Sequence, residues 1–224
     1  YDVATRQCRR IQLPSDFGPR HIVLNDGEDK AYVIGELSGS IAVIDTESDR
    51  VVQTVCADTV NARGSADIHF SPDGRFLYAP GAVGLAEIRN PSYLTLSADG
   101  RYVYAVREVA DSTASVATLS LDRKTGAMQL IGNELTDGKD PCYISTNGKV
   151  VMTANYSSGN VTEFPVGDDG ALKPHDFLYG TGLGGPDSTR QNLPHAHCAL
   201  FNAAGTELYV SEFSADVVAR YDVA

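Results

Sequence analysis

The feature that most constrains the fold is a repeat that recurs five times along the chain. Each copy has an apolar run, a short turn that contains glycine, and a second apolar run that often carries tyrosine. The copies begin at His21, Ile68, Tyr93, Tyr143 and Cys198. Alternating apolar residues on both sides of an Asp-Gly or Asn-Gly turn are typical of a β-hairpin. The repeat therefore predicts an all-β protein built from copies of one strand–turn–strand unit.

The spacing of the turn glycines predicts the size of each repeat. These glycines are Gly27, Gly74, Gly100, Gly148 and Gly205, and the intervals between them are 47, 26, 48 and 57 residues. Two of the intervals match the roughly 40–50 residues of a four-stranded propeller blade. A second strand pair follows most of the hairpins. We therefore predict a β-propeller of about five blade units, formed as a single domain by residues 1–224.

Two departures from the regular repeat lead to further predictions. The interval of 26 residues leaves space for only one short outer strand, so we expect an incomplete blade with an exposed edge at Pro80–Arg89. Self-association by strand addition is expected at such an edge. The two ends of the chain are in phase with the repeat. We therefore expect Gln7–Leu13 to pair with the strand ending near Val223, so that strands from both termini close the ring.

Charge and cysteine usage exclude several classes of function. The net charge of −11 argues against wide surfaces for nucleic acids or anionic membranes, because such surfaces need clustered Lys and Arg. No run approaches the roughly 18 apolar residues of a membrane span. The four cysteines lie far apart and form no CxxC pair, so we expect neither a metal site nor a redox motif. Reduced thiols and a cytoplasmic location are the corresponding expectations, with no cofactor.

Five basic side chains are predicted to lie on one rim of the propeller. The first strand of each blade lines the central channel, so the loops that enter these strands share a rim. The entry sequences GPRH, ADIH and PHAH contain Arg20, His21, His69, His195 and His197. Pairing across the first hairpin is expected to bring Glu36 beside Arg20. Four imidazoles on one rim would also suit zinc or copper, but their spacing in sequence fixes no coordination geometry.

Several of these motifs resemble the lactonase family of β-propellers, which includes 6-phosphogluconolactonase and the carboxymuconate lactonizing enzymes. The segment GPRHIVLNDGEDKAYVIGELSGSIAV is similar to a family segment in which a Glu of an NEL-like motif follows sixteen residues after the Arg, although Gly35 here replaces the Asn. The segments beginning SADIHF, NPSYL, DPCYI and PHAHC resemble other blades in a different order. The family has seven blades, so the resemblance implies a circularly permuted and shortened propeller.

The resemblance implies a catalytic site formed by Arg20, Glu36 and His197. His197 is implied as the general base, Arg20 as the group that holds an anion or oxyanion, and Glu36 as a residue that orients Arg20 or shuttles a proton. His21, His69 and His195 are expected to bind substrate. The implied function is hydrolysis of a sugar lactone such as 6-phosphogluconolactone, in carbohydrate metabolism, or a related muconate lactonizing activity. A small anionic lactone is the implied partner.

A second hypothesis stays open at this stage. A propeller that lacks blades has a different channel, and a displacement of about 1 Å can lower catalysis by about 10²-fold. On this hypothesis the chain is a catalytically silent scaffold, engineered or truncated, in which the loss of blades has dismantled the active site. The sequence alone does not decide whether the protein is an enzyme.

Overall fold

The structure, a computed structural model, describes residues 10–57, 67–71, 73–79, 88–175, 177–180 and 185–223, with the backbone alone for 177–179. The described residues form seventeen β-strands and contain no helix, which confirms the all-β prediction. By contacts the chain divides into two compact units, residues 1–81 and 82–224. All strand pairs are antiparallel, and the strands form small sheets that we number I to V in chain order.

The first unit contains sheets I and II. Sheet I runs in the order β1 (Pro19–Leu24), β2 (Lys30–Gly35), β3 (Ser40–Asp45) and β4 (Arg50–Cys56), and sheet II is the hairpin of β5 (His69–Phe70) and β6 (Leu77–Tyr78). One face of sheet I packs through Ile34 and Ile41 against Ile68 of the sheet II segment. Ile11 and Leu13 pack against the core of its other face. The central strands β2 and β3 are therefore covered on both faces by residues of their own unit, whereas β1 and β4 are largely exposed.

The second unit contains three sheets. Sheet III comprises β7 (Leu94–Leu96), β8 (Tyr102–Arg107), β9 (Ser115–Leu121) and β10 (Met128–Leu135). Sheet IV comprises β11 (Pro141–Thr146), β12 (Val150–Asn155), β13 (Asn160–Pro165) and β14 (Phe177–Gly180). Sheet V comprises β15 (Ala196–Phe201), β16 (Glu207–Glu212) and β17 (Val217–Asp222). In each sheet the chain moves from one edge strand to the other in sequence order.

Sheet IV is covered on both faces, and its sequence explains how. Successive side chains of a strand point to opposite faces. In β12, Val151 packs with Tyr104 and Phe164 in the core shared with sheet III. The next residue, Met152, packs with Leu208 in the core shared with sheet V. A strand that serves two cores needs an almost continuous apolar run, which is why β12 does not alternate with exposed polar residues.

The hairpin turns use left-handed backbone conformations at a fixed place. Gly74, Gly100 and Gly205 adopt φ of 67°, 65° and 69°, as the turn prediction requires. In sheet I the left-handed residue is Glu28, with φ of 53°, rather than Gly27. The position within the turn explains this difference. The turn begins at Asn25, whose N–H donates to the carbonyl of Lys30, and the fourth residue counted from Asn25 is Glu28.

The predicted ring closure lies partly outside the described residues. Of the segment Gln7–Leu13, only 10–13 are described, and they are not in a strand. The described partner of β17 is β16. Most of the edge predicted at Pro80–Arg89, residues 80–87, also lies outside the described part. The blade count of five, the closed ring, the single domain and self-association therefore stay predictions.

Candidate functional site

Three of the six predicted site residues lie where strands are interrupted by β-bulges. Pairing with the neighbouring strand shifts register between Pro19 and Ile22 in β1, and between Ala196 and Cys198 in β15. Arg20, His21 and His197 occupy these irregular positions. A bulge bends the strand and turns a side chain away from the regular alternation. The local backbone thus presents these three side chains differently from the core residues that follow them.

Arg20 forms an ion pair with Glu36, as the pairing of the first hairpin predicted. The guanidinium Nη1 lies 3.1 Å from Oε2 of Glu36, and both side chains are more than a third exposed. Glu36 follows β2 directly, and its N–H donates to the carbonyl of Gly18 at 2.8 Å. An exposed pair of this kind contributes about 0–1 kcal/mol. Its consequence is therefore the orientation of Arg20 rather than stability.

The close approach of Phe17 explains why glycine stands before Glu36. A Cβ at Gly35 would lie 2.6 Å from the carbonyl oxygen of Phe17, a backbone atom that cannot move aside cheaply. Only glycine fits this contact without displacing the chain. Gly35 thus stands where the family segment has Asn for a local steric reason, while Glu36 keeps its place beside Arg20.

Asp67 joins two of the predicted substrate-binding histidines in the first unit. Its Oδ1 lies 2.8 Å from Nδ1 of His21, and its Oδ2 lies 2.9 Å from Nε2 of His69. The carboxylate is 2% exposed and also accepts a hydrogen bond from the N–H of Ile68. Because a carboxylate accepts hydrogen bonds, it favours a proton on each contacting ring nitrogen. Asp67 therefore fixes the orientation of both imidazoles.

Sequence reasoning missed Asp67 because it aligned the repeats on their histidines. The turn bonds give the correct register, since Ser71 N–H donates to Phe76 as Asn25 N–H donates to Lys30. Counting back from these turns aligns Asp67 with His21 and puts His69 two residues further along the strand. Alignment on the turn would have placed Asp67 correctly.

Tyr156 organises the predicted histidines of the second unit. Its ring stacks on His195 with centroids 4.3 Å apart and an angle of 9°, and meets His197 edge-on at 5.6 Å. Nδ1 of His195 lies 2.9 Å from the carbonyl oxygen of Tyr156. Since a carbonyl only accepts, this contact assigns the proton to Nδ1. Tyr156 follows β12 and was not among the predicted residues.

Glu212 fixes the backbone before His197. Its Oε1 accepts hydrogen bonds from the N–H of His195 at 2.7 Å and of Ser214 at 3.0 Å. The side chain is 3% exposed. Two charge-assisted bonds to one buried oxygen hold the strand entry in place. His195 is half-buried beside this carboxylate, whereas His197 is exposed.

The remaining candidate groups are His175 and two thiols, of which Cys142 has its Sγ 3.6 Å from the carbonyl oxygen of His197. Nε2 of His175 contacts Asp137 at 2.8 Å. Burial raises the pKa of Cys142 to about 12 and also raises the pKa of Cys198. Such thiols stay protonated near neutral pH and are poor nucleophiles. Within the described ranges there is no group of three or more His, Cys, Asp or Glu side chains placed to hold a metal ion. No described helix is long and apolar enough to cross a membrane.

A cavity of about 420 Å³ lies at the turn ends of sheets III and IV. Its lining includes Asp99, Arg101, Lys149 and Asp168. Arg101 is already paired with Asp99, with Nε 2.6 Å from Oδ2. The lining contains none of the predicted site residues, so the cavity gives no support to the predicted chemistry.

The site residues thus fall into two clusters, one in each unit. We call Arg20, His21, Glu36, Asp67 and His69 the first cluster. We call Tyr156, His195, His197 and Glu212 the second cluster. The first supplies a paired guanidinium and two imidazoles on a buried carboxylate, and the second supplies two imidazoles around one aromatic ring.

The described residues form repeated small antiparallel sheets, which are the building unit of a β-propeller. The model of the lactonase family, described as a 7-bladed β-propeller, matches residues 1–81 and 80–224. The chain therefore belongs to the lactonase family of β-propellers. The two matched segments meet near the boundary between the two compact units.

Similar proteins carry lactonase names. The 6-phosphogluconolactonase of Bacillus subtilis (strain 168) is 32% identical over 61% of this chain and 39% of its own length. That of Erwinia tasmaniensis is 32% identical over 80% of this chain and 47% of its own length. The chain thus spans less than half the length of these curated relatives.

Solved structures give the same likeness. A putative 6-phosphogluconolactonase from Bacteroides uniformis aligns with a TM-score of 0.60 at 33% identity, over 87% of this chain and 46% of that one. The periplasmic gluconolactonase of Pseudomonas aeruginosa aligns with a TM-score of 0.58 at 27% identity, over 69% and 45%. Because that relative is named as periplasmic, the cytoplasmic location of this chain stays a prediction.

Proposed function

We propose that this chain is a lactonase-type hydrolase that acts on a sugar lactone such as 6-phosphogluconolactone. The observation that carries the proposal is the Arg20–Glu36 ion pair at the bulged entry of β1, in the segment that resembles the family's GPRH motif. The names of the relatives support the same class of reaction. The chain's own turnover, its substrate and the muconate activity remain part of the proposal.

The proposed reaction needs three chemical tasks. His197 accepts a proton from water as the water oxygen attacks the lactone carbonyl carbon. Arg20 donates hydrogen bonds to the oxyanion that develops or to an anionic substituent of the substrate. The ring C–O bond then breaks, the leaving oxygen takes up a proton, and a hydroxy acid is released. Glu36 holds Arg20 in orientation throughout.

The other histidines are proposed to bind substrate hydroxyls. The contact with Tyr156 places the proton of His195 on Nδ1. Asp67 orients His21 and His69 through its two oxygens. Side chains that are already fixed lose little rotamer freedom when they bind a sugar, which lowers the cost of binding.

A turnover assay decides between this proposal and a silent scaffold. Opening of 6-phosphogluconolactone and of unphosphorylated gluconolactone would be followed in a pH-stat, with spontaneous hydrolysis subtracted. We expect His197→Ala to lower kcat by about 10²–10⁴-fold, the usual contribution of general acid–base catalysis. His175→Ala is the matched control, because this imidazole contacts Asp137 and Phe164, neither of which belongs to a cluster. Equal rates for wild type and His197→Ala would reject the assignment, and no turnover by wild type would favour the scaffold.

A further inference from the structure

A buried carboxylate in the first unit contacts two imidazoles at once. Oδ1 of Asp67 lies 2.8 Å from Nδ1 of His21, and Oδ2 lies 2.9 Å from Nε2 of His69. The side chain of Asp67 is 2% exposed, whereas those of His21 and His69 are 32% and 31% exposed. Both rings therefore extend from a sealed carboxylate to the surface of the protein, where a dissolved molecule reaches them.

The two imidazoles use different ring nitrogens, and this difference separates their roles. The two nitrogens of an imidazole ring point in divergent directions. His21 contacts Asp67 through Nδ1, the nitrogen nearer the backbone, so its outer nitrogen Nε2 is directed away from this carboxylate. His69 contacts Asp67 through Nε2, so its outer nitrogen is directed toward the carboxylate. His21 therefore presents the outer end of its ring to a substrate, whereas His69 uses that end to hold Asp67.

A carboxylate in this position suits an imidazole that transfers protons. Because a carboxylate only accepts hydrogen bonds, Asp67 keeps one proton on Nδ1 of His21, and Nε2 is the atom that gains or loses the other. The charge of Asp67 also compensates the charge of an imidazolium, as a buried Asp does in a Ser-His-Asp triad. Contacts with His69 and with the N–H of Ile68 hold this carboxylate in orientation.

His21 is also the chain neighbour of the proposed anion-binding group. The register of β1 against β2 shifts between Pro19 and Ile22. Arg20 and His21 therefore lie together opposite one residue of β2 instead of two, and the regular alternation between the two faces of the sheet is broken there. An ion-paired guanidinium and a carboxylate-backed imidazole thus occur side by side at one irregular strand entry.

We propose that His21, backed by Asp67, is the general acid that protonates the leaving ring oxygen of the lactone. The inference rests on the proposed function, in which the leaving oxygen takes up a proton. As the ring C–O bond breaks, its electron pair moves onto the ring oxygen, and the proton on Nε2 of His21 transfers to that oxygen. The imidazole is left neutral, with its Nδ1 proton still bonded to Asp67. It takes up a new proton from solvent, to which His197 returns the proton that it removed from water.

Two lactones that differ in their leaving group test this role in a pH-stat. Gluconolactone releases an alcohol oxygen, whose pKa is near the value of about 15.7 for water. Dihydrocoumarin releases a phenol oxygen, whose pKa is near the value of about 10 for tyrosine. Only the alcohol oxygen needs a proton donor as its bond breaks. We expect His21→Gln to lower kcat by about 10²–10⁴-fold for gluconolactone and by less than about tenfold for dihydrocoumarin.

Two further variants separate proton transfer from folding. Asp67→Asn keeps the shape of the side chain but removes its charge, so it should also lower kcat more for gluconolactone than for dihydrocoumarin. His175→Gln is the matched control, because His175 contacts the carboxylate of Asp137 at 2.8 Å, and neither residue belongs to a cluster. It should leave both rates unchanged. Thermal unfolding shows whether each variant is folded, and His21→Asn replaces His21→Gln if the latter is not.

The possible outcomes distinguish failure of this role from failure of the proposed function. The role of His21 is overturned if folded His21→Gln lowers both rates by the same factor, or leaves the gluconolactone rate unchanged. If wild type opens gluconolactone but not dihydrocoumarin, added imidazole is the second readout. Recovery of turnover by His21→Ala then supports the role, and no recovery overturns it. A wild type that opens neither lactone rejects the proposed function itself, and this role with it.

Discussion

Sheets III and IV share one strand pattern and one core, but they differ at the end where their inner strands begin. In sheet IV, Asn155 and Thr162 form a closed hydrogen-bond network in which both amide atoms are used. In sheet III, Arg107 occupies the place of Asn155 and Ser115 that of Asn160, and each has a buried polar atom without a partner among the described residues. Nearly continuous apolar strands form both sheets, whereas the polar residues at this end differ between them.

The same comparison extends to a single backbone position. In four sheets a backbone bond reaches back to the strand entry, with acceptors Gly18, Asn90, Asp140 and His195. The residues two positions after these acceptors are Arg20, Ser92, Cys142 and His197. One position therefore carries a guanidinium, a hydroxyl, a thiol and an imidazole. Chemical diversity at a fixed position of a rigid frame is typical of binding sites.

The largest expected effect tests the core that the two sheets share. Phe164 lies in sheet IV, is fully buried, and packs in one cluster with Tyr104 and Val116 of sheet III. Phe164→Ala should lower the free energy of unfolding by about 3–5 kcal/mol, because it leaves a cavity between the sheets. Chemical denaturation measures this loss.

An exposed apolar residue supplies the control for this prediction. Val218 of sheet V is 67% exposed, so Val218→Ala should change the free energy of unfolding by less than about 0.5 kcal/mol. A loss below about 1 kcal/mol for Phe164→Ala would mean that sheets III and IV do not share a core, and the comparison of their ends would lose its basis.

The next effect tests the bonded end of sheet IV. Asn155→Ala removes two hydrogen bonds at a fully buried site and should cost about 1–3 kcal/mol. A double-mutant cycle with Thr162→Val should give a coupling energy of about 0.5–3 kcal/mol, because the two side chains bond directly. Additive losses in urea denaturation would contradict the network.

Some of this organisation follows from sequence and some does not. The hairpins, the left-handed turn glycines outside sheet I and the Arg20–Glu36 pair depend on local periodicity and turn chemistry, so they were predictable. The bond of Asp67 to His21 depends on packing between sheets I and II, and the stack of Tyr156 on His195 depends on packing between IV and V. Arg107 gave no sequence signal, because what distinguishes it is the absence of a described partner.

A smaller effect is expected at the opposite, turn end of sheet III. The N–H of Arg101, together with the hydroxyl of Ser97, lowers the pKa of Asp99 to about 2 from 3.8. Its stabilising effect is therefore complete above about pH 4 and is lost as the pH falls through about 2. Asp99→Asn should lower the free energy of unfolding by at most about 1 kcal/mol at pH 7, since the Asp99–Arg101 ion pair is exposed. Unfolding curves for both proteins should converge near pH 2, and a gap of the same size at pH 7 and pH 2 would contradict this account.

The smallest expected effect provides the sharpest contrast with Asn155. Ser115 is as buried as Asn155, but its hydroxyl has no hydrogen bond to lose in the described structure. Ser115→Ala should therefore not lower the free energy of unfolding, because it removes a buried hydroxyl that has no bond to lose. A loss near that of Asn155→Ala would show that Ser115 is bonded in solution, and the difference between the two sheets would disappear.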